Sequence, residues 1–146
     1  MIIRELLKED LSKLLELHTQ LKNSDLPVID DGLKALWDKI LSCKDHHVVG
    51  GFVEEELVSS CVMVIIPNLT HNQRPYALIE NVITDRAHRN KGYATSVLNF
   101  ARDMARKENC YKIMLMTGSK EEGTIKFYEN AGYNQNDKTA FVQWMM

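Results

Sequence analysis

Apolar residues recur at helical spacing in three stretches of the chain. The positions are, in turn, Leu11, Leu14, Leu15, His18 and Leu21; Leu33, Leu36, Trp37, Ile40 and Leu41; and Ala94, Val97, Leu98, Ala101, Met104 and Ala105. A repeat close to i, i+3, i+4, i+7 is typical of a helix with one buried face. Asp10 is a plausible N-cap for the first predicted helix, and Asp30 or Asp31 for the second.

The remaining apolar stretches have the composition of strands. They are residues 2–6, 47–53, 57–66, 76–84, 111–117 and 141–146. Most are rich in β-branched or aromatic residues, which favours strands. Residues 111–117 show almost no polar alternation, which predicts an interior strand. Residues 124–130 form a short predicted helix that ends at Gly132.

The predicted element order is β-α-α-β-β-β-α-β-α-β. Residues 76–117 form a strand-helix-strand unit, which predicts two parallel strands joined by a right-handed crossover. The fold class is therefore α/β, a mixed α+β arrangement of one central sheet, mostly antiparallel with one parallel pair, and about four helices. A length of 146 residues is typical of one domain, which we expect to span residues 1–146.

Composition excludes several functional classes. A net charge of −2 and a pI of about 6.2 argue against nucleic acid as a partner. No apolar run is long enough for a membrane span, and the N-terminus is too short and charged for a signal peptide. Three widely spaced cysteines predict reduced thiols and a cytoplasmic protein. No histidine has the spacing of a metal ligand, so no metal is expected.

The loop between the strand at 76–84 and the following helix is basic and contains a glycine. Arg86, Arg89 and Lys91 carry positive charge, and Gly92 allows a close backbone approach to a ligand. The first amides of a helix have no partner inside it, so such a loop favours phosphate or pyrophosphate binding. The alternative is a solvated basic loop. Motifs of Walker A loops, dinucleotide-binding loops and nucleophile elbows are absent.

Two motifs at matching spacing resemble the GNAT superfamily of acyl-CoA-dependent N-acyltransferases. Residues 89–94 read Arg-Asn-Lys-Gly-Tyr-Ala, like the family's pyrophosphate loop, and residues 127–133 read Phe-Tyr-Glu-Asn-Ala-Gly-Tyr, like its later helix end. Residues 79–82 and 109–115 are similar to segments of the glucosamine-phosphate N-acetyltransferase branch. Small bacterial GNAT proteins of unassigned substrate share these segments, so the resemblance does not fix the acceptor.

The resemblance implies the GNAT fold, with acetyl-CoA as co-substrate bound around the parallel strand pair. It implies that Tyr128 protonates the leaving thiolate and contacts the cofactor, and that Glu80 or an ordered water is the general base. Backbone or side-chain contacts to the cofactor are implied for Val82, Ile83, Thr84, Arg89, Asn90, Lys91, Gly92, Tyr93, Ala94 and Thr95. The alternatives are an ion-paired strand carboxylate at Glu80 and a packed aromatic at Tyr128. Glu121 stands where many members have asparagine, and Thr124 is a possible substitute.

The expected function is acetyl transfer to the primary amine of a small molecule, with an amino sugar or amino-sugar phosphate as one candidate. Alternatives are a catalytically silent acyl-CoA sensor, a peptide or protein N-acetyltransferase, and a nucleotidyl or phosphoryl transferase. We expect a homodimer, because many family members pair through C-terminal strands. The loops at 23–31 and 67–75 and the C-terminal strand are expected to select the acceptor, whose identity stays open.

Overall fold

A computed structural model describes residues 1–146. The strands are β1 (Ile2–Glu5), β2 (His46–Val53), β3 (Glu56–Ile66), β4 (Tyr76–Thr84) and β5 (Ile113–Leu115). The helices are α1 (Leu11–Lys22), α2 (Asp31–Ser42), α3 (Thr70–Gln73), α4 (Tyr93–Lys107) and α5 (Glu122–Asn130). Short 3-10 turns lie at Lys8–Asp10 and Arg86–His88. None of the helices is both long enough and apolar enough to cross a membrane.

The five strands form one sheet in the order β1-β2-β3-β4-β5. The first four pair antiparallel in succession, and β5 pairs parallel to β4 after the crossover through α4. This confirms the predicted mostly antiparallel sheet with one parallel pair. The predicted cap of α2 is also confirmed, since Asp30 Oδ1 accepts from the Leu33 N–H at 2.8 Å. Asp10 makes no capping bond to α1. Its carboxylate instead accepts from Leu7 N–H at 2.7 Å and Arg4 Nη1 at 2.6 Å.

Each face of the sheet has its own apolar core. The α4 side contains Val49, Cys61, Met63, Ile65, Ala77, Ile79, Val97, Leu98, Ala101 and Ala105. The α1 and α2 side contains Leu6, Leu14, Leu17, Trp37, Val48, Phe52, Leu57 and Ile83. Neighbouring residues such as Val48 and Val49 enter different cores because side chains alternate across a pleated strand. The sheet is therefore covered by helices on both faces.

A β-bulge interrupts β4 in its middle. Val62 pairs with Glu80 and Ser60 pairs with Ile83, so β4 has one residue more than β3 between these pairs. Asn81 takes the left-handed conformation there, with φ of 53°. Ile79 and Ile83 would share one face in a regular strand, yet they belong to opposite cores. The bulge thus reverses which side chains of β4 face which core.

The last predicted strand, at residues 141–146, is wrong for this chain. These residues have no regular secondary structure, and Phe141 and Trp144 are 90% and 81% exposed. Residues 111–117 form only the three-residue β5, which is an edge strand and not the interior strand predicted. The two errors have one cause. An apolar pattern with β propensity shows that a segment can form a strand, but it does not show whether another strand lies beside it. We call residues 141–146 the C-terminal segment.

The predicted loop at residues 67–75 contains the short helical segment α3. Its backbone is irregular, because His71, Asn72 and Gln73 all have positive φ. The His71 ring stacks on Tyr111, with centroids 3.9 Å apart, at the start of β5. Arg74 donates to the carbonyls of Asn109 and Cys110. This loop is therefore attached to the end of the molecule where β4 and β5 begin.

Candidate active site

The loop between β4 and α4 contains two residues in the left-handed conformation. Asn90 has φ of 60° and Gly92 has φ of 81°. Asparagine tolerates this conformation better than most residues, as expected from the sequence, and glycine adopts it without strain. A Cβ at Gly92 would meet no protein atom within 4 Å. The need for glycine is therefore conformational, and the space above it is open.

Backbone N–H groups from Asn90 to Thr95 find no acceptor in the protein. The first backbone bond from α4 into the loop runs from Ser96 N–H to the Gly92 carbonyl, at 3.1 Å. Ser96 Oγ donates to the same carbonyl. Unpaired amides at the N-terminus of a 15-residue helix carry the positive end of the helix dipole. The geometry is that of an anion site.

Two formal positive charges are available beside these amides. Arg89 and Lys91 are exposed and form no salt bridge. Arg89 Nε donates to the Thr84 carbonyl at 3.3 Å, and Lys91 Nζ donates to the Ala87 carbonyl at 3.4 Å. Neither contact neutralises the charge, so both cations can act on a bound anion.

The acidic side chain nearest the loop is Asp85, which follows β4 directly. Its carboxylate accepts from Gln20 Nε2 at 2.7 Å, Ala87 N–H at 2.9 Å and His88 Nδ1 at 3.0 Å. The hydrogen bonds from Gln20 and His88 are the main causes that lower the pKa of Asp85. The carboxylate is held within the loop's own structure. The sequence analysis missed Gln20 and Asp85, because no local pattern connects them.

The second half of β4 lacks a strand neighbour on its β5 side. The pairing of β4 with β5 ends at Ile79 and Leu115. On the β3 side, Ser59 Oγ donates to the Ile83 carbonyl and lies 2.9 Å from Thr84 Oγ1. The backbone of Val82, Ile83 and Thr84 is thus fixed from one side and open on the other. An extended amide-containing ligand can pair with such an edge.

Glu80 lies immediately before the bulge, opposite Val62. Its side chain is exposed and has no hydrogen bond or salt bridge in the protein. The alternative of an ion-paired strand carboxylate therefore has no partner in this structure. Val62 packs against the core on the α1 side, so Glu80 points to that face of the sheet.

Tyr128 lies on the opposite face, on α5. It packs edge-on against Phe127 and Tyr133, with centroids 4.9 and 6.3 Å away, as part of the α4-side core. Burial is the main cause that raises the pKa of Tyr128, and the nearby Cys61 adds to it. The hydroxyl has no hydrogen-bond partner in the protein. Glu80 and Tyr128 therefore lie on opposite faces of the sheet, and Glu80 follows Ile79, the last residue of β4 that pairs with β5.

The buried Cys61 is not a candidate nucleophile. Burial raises the pKa of its thiol to about 12, so it stays protonated at neutral pH. Glu121, at the position of the family's asparagine, is exposed and makes no side-chain cap to α5. Thr124 Oγ1 is 3.1 Å from Ser119 Oγ and is already engaged. No group of three or more His, Cys, Asp or Glu side chains is arranged to hold a metal.

The sheet, the crossover helix and the loop together define the class of acyl-CoA-dependent N-acyltransferases that the motifs predicted. Residues 9–133 match the family model of the acetyltransferase (GNAT) family, so the chain belongs to this family. The predicted resemblance and the predicted fold are confirmed. Members of the family use acetyl-CoA.

Similar proteins cover different shares of the chain. Streptothricin acetyltransferase of Escherichia coli is 29% identical over 92 residues, which are 63% of this chain and 49% of that protein. The match thus spans about half the length of this relative. A structure from Agrobacterium tumefaciens, described provisionally as an acetyltransferase, has 33% identity and a TM-score of 0.92, covering 99% of this chain and 100% of its own. Glucosamine-6-phosphate N-acetyltransferase of Arabidopsis thaliana has 23% identity and a TM-score of 0.87, covering 99% and 98%. At that identity the likeness shows the fold alone.

Proposed function

We propose that this chain transfers an acetyl group from acetyl-CoA to a primary amine of a small molecule, by direct attack in a ternary complex. The observation that carries the proposal is the row of unpaired amides from Asn90 to Thr95, located directly after a strand with an open edge. A pyrophosphate at these amides would be stabilised by the helix dipole and by Arg89 and Lys91. The side chains of Tyr93, Ala94 and Thr95 belong to the same first turn of α4.

Acetyl-CoA supplies a thioester carbonyl, whose C–S bond breaks as a C–N bond forms with the amine. The protein's task is to orient the thioester and to move two protons. In the proposal, the backbone of Val82 to Thr84 pairs with the amide-bearing arm of the cofactor and directs its thioester into the opening between β4 and β5. Glu80, unpaired and exposed at that opening, takes the amine's proton directly or through a water molecule.

Tyr128 is the proposed donor to the departing CoA sulfur. A thiol has a reference pKa of about 8.5, so a weak acid is enough to protonate its anion. The Tyr128 hydroxyl is protonated at neutral pH, and burial raises its pKa, so the phenol would act as a proton donor through its position and not through its acid strength. Its hydroxyl is also free of partners in the protein, and its ring is fixed by Phe127 and Tyr133. These features suit a positioned proton donor.

A small-molecule amine is the proposed acceptor class, with amino sugars and their phosphates as the first candidates to test. Two relatives are named for acting on streptothricin and on glucosamine-6-phosphate. We further propose that residues 1–146 work as one catalytic domain in the cytoplasm, which the odd number and wide spacing of the cysteines favour.

The test is release of free CoA thiol from acetyl-CoA across amino sugars, polyamines, amino acids and peptide N-termini. We expect turnover with small amines, and a fall in kcat of about 100-fold for Tyr128→Phe, at the lower end of what a positioned general acid contributes. Acetyl-CoA affinity should not change. Tyr133→Phe removes a neighbouring hydroxyl and is the matched control. Tight acetyl-CoA binding without turnover on any amine would favour the silent sensor instead. Turnover restricted to peptides would favour a peptide N-acetyltransferase.

We also propose a homodimer in which the C-terminal segment of one copy adds to β5 of the other. Three observations support it. The segment is apolar and exposed, β5 is an edge strand of only three residues, and an open depression of about 170 Å³ lies beside it. Ala105, Cys110 and Ile113 give this depression apolar walls. A partner's segment would cover both the strand edge and the depression.

A further inference from the structure

The end of α1 is joined to the start of the β4–α4 loop by side-chain hydrogen bonds. The Gln20 amide makes two of them: Nε2 donates to Asp85 Oδ2 at 2.7 Å, and Oε1 accepts from Arg86 N–H at 3.0 Å. Arg86 Nη2 also donates to Asn23 Oδ1. One amide thus bonds to two consecutive residues of the loop across more than sixty residues of sequence. Both of its polar atoms are used.

These bonds lie at the start of the β4–α4 loop, where a 3-10 turn sets the direction of the chain. Asp85 Oδ1 caps the 3-10 turn at Arg86–His88 by accepting from Ala87 N–H and His88 Nδ1. This turn leads directly into Arg89 and the unpaired amides. Asp85 itself is fixed to β3 by the bond from its N–H to the Val58 carbonyl, at 2.8 Å. The side of the turn that faces α1 is held only by Gln20 and Asn23.

Asn23 ends α1 in the left-handed conformation, with φ of 50°, and its N–H bonds to the Thr19 carbonyl. The chain then enters residues 24–30, which connect α1 to α2 and expose Leu26 and Val28. The same residue therefore terminates the helix, bonds to the loop through Arg86 and begins the connection to α2. A shift at either end must strain or break these bonds.

We infer that Gln20 is a positioning residue for cofactor binding: it holds the Asp85–His88 turn so that the amides from Asn90 to Thr95 face one point. Asn23 adds a second attachment and connects the cofactor loop to residues 24–30. The inference rests on the proposed function, because it assumes that the amides bind the pyrophosphate of acetyl-CoA. It assigns a role in cofactor affinity to α1, which lies on the face of the sheet opposite to α4.

The first test compares Gln20→Leu with the wild type by titration calorimetry with acetyl-CoA. Leucine is of similar size and removes both hydrogen bonds. We expect about a tenfold loss of affinity, since each net hydrogen bond contributes about 1 kcal/mol and the loop needs only partial release. The KM for acetyl-CoA should rise by a similar factor while kcat changes less than twofold. Ser12→Leu, at an exposed position on the same helix, is the control.

A second test exchanges the donor and the acceptor of the hydrogen bond between residues 20 and 85. Gln20→Glu alone puts two carboxylates together. Asp85→Asn alone sets an amide N–H against the Gln20 N–H or, if one of the two amides flips, against the backbone N–H of Arg86 or Ala87. The double variant Gln20→Glu/Asp85→Asn lets the new amide donate to the new carboxylate, which still accepts from Arg86 N–H. We expect each single variant to weaken acetyl-CoA binding and the double variant to recover most of the loss. Only a contact between these two side chains gives that pattern.

The outcomes separate this inference from the proposed function. If the wild type fails to bind acetyl-CoA, the proposed function is overturned and the inference with it. If the wild type binds but Gln20→Leu binds equally well, the positioning role alone is overturned. A fall in kcat at unchanged affinity would also contradict it, because positioning acts on the pyrophosphate site. Affinities are measured well below each variant's unfolding temperature, so reduced stability cannot imitate the effect.

Discussion

The β4–α4 loop and the C-terminal segment are both regions that the sequence singled out, and they differ in what holds them. The loop is fixed by bonds within the chain, from Val58 and Gln20 at its start to Ser96 at its end. The C-terminal segment and the three residues before it make no such bonds. The large apolar side chains of the segment are exposed to solvent. One region is complete in a single chain, and the other is not.

The difference shows which sequence patterns are sufficient to specify a local structure. In the loop, Asn90 and Gly92 prefer the conformation they adopt, so the residues specify the backbone locally. In the C-terminal segment, residues such as Phe141, Val142 and Trp144 favour a strand, but a strand exists only beside another. The segment's pattern therefore describes an interaction that the isolated chain does not make.

The largest expected effect concerns the C-terminal segment and the proposed dimer. In the variant Phe141→Asp/Trp144→Asp, two aromatic side chains that the proposed dimer buries become charged. Each buried aromatic contributes about 2 kcal/mol and a two-fold dimer buries two from each copy, so the dimer dissociation constant should rise by at least about 1000-fold. Sedimentation over a range of concentrations measures it. Val28→Asp, at an 84% exposed valine in the connection between α1 and α2, should leave the dimer intact. A monomeric wild type would refute the dimer.

The second-largest expected effect concerns the backbone of the β4–α4 loop. Gly92→Val forces a β-branched residue to φ of 81° and places a side chain in the open space above the loop. Left-handed backbone costs an ordinary residue about 1–2 kcal/mol, and lost access to the amides adds to this. Acetyl-CoA affinity should fall about 100-fold by calorimetry. Gly32→Val in α2 is the control, and equal affinity of Gly92→Val and wild type would contradict an amide-based site.

The smallest effect separates side-chain charge from backbone amides within the loop. Arg89→Glu replaces an unpaired cation by an anion beside the proposed pyrophosphate. We expect about a tenfold loss of acetyl-CoA affinity at low salt, and a smaller loss at higher ionic strength because exposed charges are screened. Lys34→Glu makes the same charge change on α2, where lysine is exposed and unpaired. A salt-independent loss would point to a conformational change of the loop instead.

Much of the fold could be predicted because its signals are local. The periodicity of the three long helices and the cap at Asp30 involve residues within a few turns of one another. The pattern at residues 76–84 identified β4 correctly. It did not reveal the bulge at Asn81, although an asparagine inside the predicted strand was the available signal. The bulge also depends on how β4 registers with β3, which no single strand specifies.

The candidate site also has features that local sequence indicates and features that only the folded chain shows. The loop that we propose for pyrophosphate binding was indicated by six consecutive residues, and Tyr128 was indicated by its motif. The roles of Glu80 and Tyr128 stay predictions, and the structure adds that they lie on opposite faces of the sheet. Gln20 could not be found, since it lies on a predicted helix with an ordinary polar position and meets Asp85 only after folding.

By itself, the sequence determined the long helices, the strands β1 to β4 and the left-handed positions that Asn90 and Gly92 adopt in the β4–α4 loop. The physical reason is that side-chain and backbone preferences act over a few residues. The tertiary structure decided which face each residue of β4 presents, where β4 and β5 separate, and that Gln20 of α1 bonds to the start of the β4–α4 loop. It also decided that residues 141–146 find no neighbour in their own chain. These features depend on contacts between distant segments, where a local preference states only what a residue can do.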